Sequence, residues 1–252
     1  MEAKPIALQL YSLREEAKKD FVGVLKTVAS FGYMGVETAG LHDLKPAELR
    51  KVLDELGLKC CSMHVGFPTK DNVNELADTA KALGTNMLIS GLGPKDFATK
   101  EARDAGFARI KEAAGLAKSK GMKYGYHNHW WEFDKLDGQY GYDAMMAAVP
   151  NMFSELDVYW ASNFGAVDVP AVVQKYAKRI PLLHIKDGPL VKDQPHTAVG
   201  SGKLAMPPIV QAADPKVLKW LVVELDACAT DMTKAVEESV RYLKSSGLGK
   251  AS

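Results

Sequence analysis

The chain has 252 residues, 47% hydrophobic and 25% charged, an ordinary composition for a globular protein. Its 32 basic and 31 acidic residues leave a net charge of +1, so no basic surplus exists to neutralise a phosphate backbone, and nucleic acid is not an expected partner. Cys60, Cys61 and Cys228 are too few for a disulfide framework, no long apolar run offers a membrane span, and the opening MEAKPIALQLYSL lacks a secretory pattern, which together point to the cytoplasm.

In chain order, a short apolar run is followed each time by an amphipathic stretch. Pro5 to Leu13 precedes a helix over Asp20 to Phe31, Tyr33 to Ala39 precedes Lys45 to Leu56, and Lys59 to Phe67 precedes Asn72 to Leu83. Asn86 to Leu92 then leads to Thr99 to Lys120, and Lys123 to His129 to Tyr142 to Val149. The last three pairs are Phe153 to Trp160 with Val169 to Lys178, Ile180 to Asp187 with Pro207 to Ala213, and Trp220 to Ala227 with Thr233 to Ser245. Gly32, Gly57, Gly84 and Gly121 stand where four of the helices need a left-handed terminator.

Eight strand-then-helix units predict a single (β/α)8 TIM barrel spanning the whole chain. A doubly wound open sheet would carry a glycine-rich phosphate turn after its first strand, whereas that segment reads YSLREEAKK. The longest irregular stretch, Gly188 to Lys203, is expected to be functional or mobile.

Barrel active sites form where the strand C-termini meet. The polar residues there are Tyr11, Glu37, His64 and Ser90, then His127 with His129, Asp157, His184 with Lys186, and Glu224 with Asp226. Burying so many ionisable groups among apolar strands is costly unless they are paired or hold a metal. His127, Asp157, His184 and Glu224 are spaced by 30, 27 and 40 positions, about one βα unit each with the long loop in the last interval. They therefore reach equivalent heights on successive strands. Two imidazoles and two carboxylates suit Mn, Co, Zn or Fe and are less typical of Mg.

The segments FSELDVYW, LLHIKDG and VVELDA, with YHNHWWEF ahead of them, resemble the xylose isomerase-like barrel superfamily of sugar phosphate isomerases and epimerases. IALQLYSL and YMGVETAG add to the similarity, which runs from Ile6 to Leu243. That resemblance implies a divalent metal held by a Glu, an Asp, a His and a Glu on strands five to eight. Asp157, His184 and Glu224 match the last three, and His127 stands in place of the first glutamate. The substitution removes the symmetrical two-carboxylate scheme of the family epimerases. His127 is then either a ligand or, with His129, the acid/base group.

The implied reaction is proton abstraction beside the carbonyl of a sugar or keto-sugar. Glu224 is the preferred base, its pKa expected to be raised by burial. Lys186 is expected either to offset an oxyanion or to pair with Asp157 or Asp187. Glu37, His64, Trp130, Trp160 and Glu132 are the expected substrate contacts, the tryptophans offering flat faces to a sugar ring. Isomerisation, epimerisation and β-elimination share this first step, and the family contains dehydratases too. Abasic-site nucleases of the superfamily need more histidines than the six present, and a non-catalytic sugar-binding barrel is the remaining alternative. The absence of an arginine cluster at the strand ends favours an unphosphorylated substrate. Oligomeric state is not legible. Gly200-Ser201-Gly202-Lys203 breaks the Walker pattern and no HExxH or Gly-x-Ser-x-Gly motif occurs.

Overall fold

The apolar runs form strands and the amphipathic stretches form helices, in the alternation read from the sequence. The computed structural model describes residues 2–252. Its barrel strands are β1 (Lys4–Gln9), β2 (Gly35–Thr38), β3 (Lys59–His64), β4 (Met87–Ser90), β5 (Lys123–His127), β6 (Phe153–Asp157), β7 (Leu182–Ile185) and β8 (Trp220–Val223). Each pairs in parallel with the next, and β8 closes on β1 through Ile6–Leu221, Ala7–Val222 and Leu8–Val223. A two-residue strand, Gly249–Lys250, adds to β1 at Lys4 and Pro5. Among the described residues no helix is long and apolar enough to cross a membrane.

The covering helices are α1 (Phe21–Ser30), α2 (Pro46–Glu55), α3 (Val73–Leu83), α4 (Lys100–Ser119), α5 (Gly141–Ala148), α6 (Val169–Tyr176), α7 (Met206–Gln211) and α8 (Met232–Ser245). Their starts are set chemically. Asp20, Thr99, Asp168 and Asp231 each accept a backbone N–H three residues on, satisfying a donor the first helical turn leaves free. Gly32, Gly57, Gly84 and Gly121 all take positive φ, between 70° and 94°, as the predicted terminators. Leu25, Leu49, Leu53, Ile110, Val240 and Leu243 lie at 1% exposure or less in the layer between helices and sheet. Truncating one of these to alanine costs about 2–5 kcal/mol.

Inside the barrel, Ala7, Cys61 and Val222 form a small apolar layer of their own, with Trp220 packed against it. Phe153 takes the space left by Gly125, where a Cβ would come within 2.2 Å of the Phe153 ring. Towards the C-terminal ends the interior turns polar, because alternation carries Gln9, Glu155 and Glu224 onto the inward face. A register shift between Val36 and Glu37 accompanies the arrival of buried Glu37 in the same layer.

Two strands are shorter than their apolar runs predict. Leu10–Leu13 is a 3-10 turn and Val158–Ala161 a helical turn. In each case the polar residue at the strand end caps the adjoining turn: the Gln9 side chain accepts from Tyr11 N–H, and Asp157 Oδ1 accepts from Trp160 N–H at 2.8 Å. The long Gly188–Lys203 segment is tied down by one carboxylate. Asp187 accepts the backbone N–H groups of Gly188, Gly200, Gly202 and Leu204 at 2.8–3.1 Å.

Candidate active site

His184, on β7, divides the polar layer into two halves. Its Nδ1 lies 3.2 Å from Glu224 Oε2, whereas its Nε2 lies 3.1 Å from Glu155 Oε2 and 3.4 Å from Glu37 Oε1. All four residues are buried.

The Glu224 half is organised by an ammonium group. Lys186 Nζ stands 3.0 Å from Asp157 Oδ2, 2.9 Å from Glu224 Oε2 and 2.6 Å from Asp226 Oδ2. The contact with Asp157 has ion-pair distance without hydrogen-bond geometry, and Oδ2 has no other partner. Burial alone would discharge this lysine, but its three carboxylates outweigh burial and hold its pKa well above the usual lysine range. Its partners are therefore Asp157, Glu224 and Asp226; Asp187 is committed to the loop amides.

The expected rise in the pKa of Glu224 is reversed. Burial pushes upward, yet the neighbouring charges of Lys186 and His184 win and keep Glu224 well below the usual carboxylate range. Asp157, more enclosed, is raised by burial to about 6 despite Lys186.

In the other half, Glu37 accepts from Gln9 and from the Ser62 hydroxyl. Burial opposes its charge, but the His184 charge, with hydrogen bonding from Glu155, His184 and His64, holds it well below the usual range, whereas burial and the adjacent Glu37 charge push Glu155 well above it. One of the pair is ionised and the other carries a proton. His184 itself is raised: desolvation would lower its pKa, and Glu155 and Glu37 outweigh it. Both Glu155 oxygens, His184 Nε2 and His127 Nδ1 have no hydrogen-bond partner.

Above this floor a cavity of about 500 Å³ opens to solvent, with Tyr11, His64, His127, His129, Glu224 and Asp226 on its walls. Burial, then His184, holds His127 well below its ordinary pKa, so it is the neutral imidazole. Burial, then Lys186, lowers His129 to about 4. His129 is also held in place, its ring stacked on Trp131 at 4.2 Å and its backbone N–H donating to Glu132 Oε2. Glu132 is fully buried, accepts from Tyr126 Oη at 2.7 Å, and is raised by burial to about 8. Expected as a substrate contact, Glu132 instead stands behind the wall as a positioning group. Glu37 likewise lies in the floor rather than on the wall, 3.5 Å from His64 Nδ1, which does reach the cavity.

The predicted ligand set converges. His127, Asp157, His184 and Glu224 each offer a donor atom, and these atoms lie within 4.8 Å of one another. A larger cavity of about 910 Å³ lies at the opposite end of β5, walled by Lys111, Lys118 and Phe153. That is the end where barrel residues serve stability, and no acid–base pair converges there. The tryptophans separate from the central cavity: Trp130 and Trp160 line a neighbouring one with Phe164. Of the two histidines in loops, His42 stacks on Phe21, whereas His196 is buried against Trp160 and Tyr159. His196 had no sequence signal. Glu155 had one, its position two residues before Asp157 on the same strand face, and so had Gln9, two residues before Tyr11.

A closed parallel barrel with a buried nitrogen-and-oxygen ligand set at its strand C-termini defines a (β/α)8 barrel with a candidate metal centre. The sequence matches the xylose isomerase-like TIM barrel family over residues 25–246, and the chain belongs to that family. Comparison with curated proteins gives no significant match. Among solved structures, a sugar phosphate isomerase/epimerase from Parabacteroides distasonis is similar over 99% of this chain and 96% of its own, at 25% identity and a TM-score of 0.77. A probable 3-DHS dehydratase of petrobactin synthesis from Bacillus anthracis shares 15% identity over 95% of this chain and 98% of its own, with a TM-score of 0.74. A D-allulose 3-epimerase from a Methylomonas species, solved with D-allulose, shares 17% identity over 97% and 98%, with a TM-score of 0.70. The last two likenesses are of fold alone.

Proposed function

We propose that this barrel is a divalent-metal-dependent sugar isomerase or epimerase, which removes a proton from the carbon beside a sugar carbonyl and passes through an enediolate. The observation that carries this reading is the convergence of His127, Asp157, His184 and Glu224 donor atoms within 4.8 Å beneath an open cavity. The donor set fits a cation: two imidazoles and two carboxylates, with Asp157 Oδ2 and His127 Nδ1 free of hydrogen-bond partners. When bound there, Mn, Co, Zn or Fe supplies Lewis acidity beside the sugar carbonyl.

The protein's own groups divide the remaining work. Glu224, kept ionised by Lys186, accepts the proton at its carboxylate on the cavity wall. Lys186 holds Glu224, Asp157 and Asp226 in register and supplies fixed positive charge under the developing oxyanion. His129, neutral and pinned by Trp131 and Glu132, lines the same cavity and carries the second proton. His64 and Tyr11 line the cavity and offer polar groups to sugar hydroxyls.

A second reading, β-elimination from a keto-sugar, is favoured by one feature: the Glu224 and Asp226 carboxylates, both following β8, face imidazoles rather than a second carboxylate. Solvent-deuterium exchange at the carbon beside the carbonyl tests the shared step, and loss or retention of water separates the readings. Elemental analysis of purified protein, with Mn titration by calorimetry, tests the metal. About one ion per chain is expected, lost in Asp157→Asn and His184→Ala. Wild-type protein that takes up no divalent ion overturns the metal-dependent mechanism. In a metal-loaded enzyme, Glu224→Gln is expected to lower kcat by roughly 10²–10⁴-fold.

A further inference from the structure

Beside the central cavity lies a second one of about 380 Å³, and Asp226 is a wall of both. Its other walls come from two loops. The first, after β6, supplies Trp160 and Phe164; the second, after β7, supplies Lys192 and His196. Trp130 completes it. Its ring lies 5.8 Å from Phe164, and Phe164 lies 6.2 Å from Trp160, a run of aromatic surface leading away from the catalytic groups.

We propose that this cavity is a second subsite, taking the second ring of a glycoside whose first ring occupies the central cavity. The inference rests on the sugar-processing reading of the catalytic site. Three observations carry it. The shared Asp226 makes the two cavities adjoining compartments, and the Lys186 ammonium that organises the first lies 5.1 Å from the ring centroid of Trp160 in the second. Flat aromatic walls suit the apolar face of a second ring, whether sugar or phenol. Unused donors remain there. His196 Nδ1 accepts the Asp226 N–H, which leaves the ring proton on Nε2, and neither this Nε2 nor Trp160 Nε1 has a partner. Buried donors without partners are costly, and an oxygen-rich ligand supplies what they lack.

The loop after β7 is built to hold this wall in place. Leu190 and Asp193 adopt left-handed backbone conformations, with φ of 56° and 61°, at a cost that needs a compensating function. Between them, Val191 is one of two large hydrophobic residues left exposed among the described residues, and Lys192 lies 4.2 Å over the Trp130 ring. Asp187 fixes the far end of the same loop through its side-chain carboxylate, which accepts the backbone N–H groups of Gly200 and Gly202.

The test is calorimetric titration of metal-loaded protein with methyl, phenyl and glucosyl glycosides of glucose, galactose and xylose. A two-ring ligand is expected to bind roughly tenfold more tightly than the methyl glycoside of the same sugar, an effect of the size of one aromatic stacking contact. Phe164→Ala and Trp130→Ala should each remove most of that gain while changing the methyl glycoside Kd less than about twofold. The phenyl and glucosyl arms tell whether the second ring is aromatic or saccharide. Equal affinity for one-ring and two-ring ligands, or a gain that survives both substitutions, overturns the subsite and leaves the catalytic reading intact. No binding by any glycoside in the panel, with Mn bound, also overturns the subsite, whereas the catalytic reading stands or falls on solvent-deuterium exchange into sugars that carry a free carbonyl.

Discussion

The two sides of His184 bury similar groups and satisfy them differently. Around Lys186 three carboxylates share one ammonium, all at contact distance, whereas around Glu155 two carboxylates and two imidazoles meet with four polar atoms unpartnered. Charge balance explains the contrast. The first group carries its own cation, which holds the Glu224 carboxylate well below the usual range. The second balances charge through protonation, with Glu155 pushed up and Glu37 held down around a protonated His184. A site of this kind joins a fixed charge to an adjustable one, and the candidate ligand set draws from both sides.

The most severe way to break the comparison is to remove the fixed cation. Lys186→Met leaves Asp157, Glu224 and Asp226 facing one another without compensation and is expected to destabilise the fold by about 3–5 kcal/mol in urea unfolding of metal-free protein. Added Mn should restore part of that loss, because a divalent ion replaces the missing charge. A loss below about 1 kcal/mol would mean that the ammonium is not the organising group.

Within the other half the two glutamates should respond unequally. Glu37 is the ionised member and accepts from Gln9 and Ser62, so Glu37→Gln turns an acceptor into a donor facing a donor and is expected to cost about 2–3 kcal/mol. Glu155 already carries the proton, and Glu155→Gln copies its neutral shape at a cost below about 1 kcal/mol. Equal costs by thermal unfolding would contradict the assignment of the shared proton.

The same contrast marks how far the sequence could be read. Glycine terminators, the strand–helix rhythm and the spacing of His127, Asp157, His184 and Glu224 are local or periodic signals, and they lead to the barrel and to the four residues whose donor atoms converge. The features that stay hidden depend on register and on loop folding. Glu155 requires recognising that Asp157 has a same-face neighbour one layer deeper. Glu132 reads as a loop acid offered to the substrate because nothing in HWWEF announces that Tyr126 and the His129 amide turn it inward. His196 lies 30 positions from Asp226 along a loop whose path is fixed by Asp187, a contact no periodicity encodes.

His196 also gives the finest test of that loop-built half of the mouth. Burial, then the Lys186 charge, lowers its pKa to about 4, against an ordinary 6.5. Between those values the unfolded chain binds more protons than the folded one, so the stability His196 contributes is present above pH 6.5 and is lost as pH falls towards 4. His129, also near 4, acts in the same direction, while Glu132, raised to about 8, acts oppositely as pH rises from 4.5 to 8. Comparing wild type with His196→Gln cancels the terms from the other two. The wild type should lose about 1–2 kcal/mol relative to the variant between pH 6.5 and 4.5, read from urea unfolding at each pH. Parallel curves would show that His196 already meets water, and the unpartnered Nε2 in the aromatic cavity would then need no ligand to satisfy it.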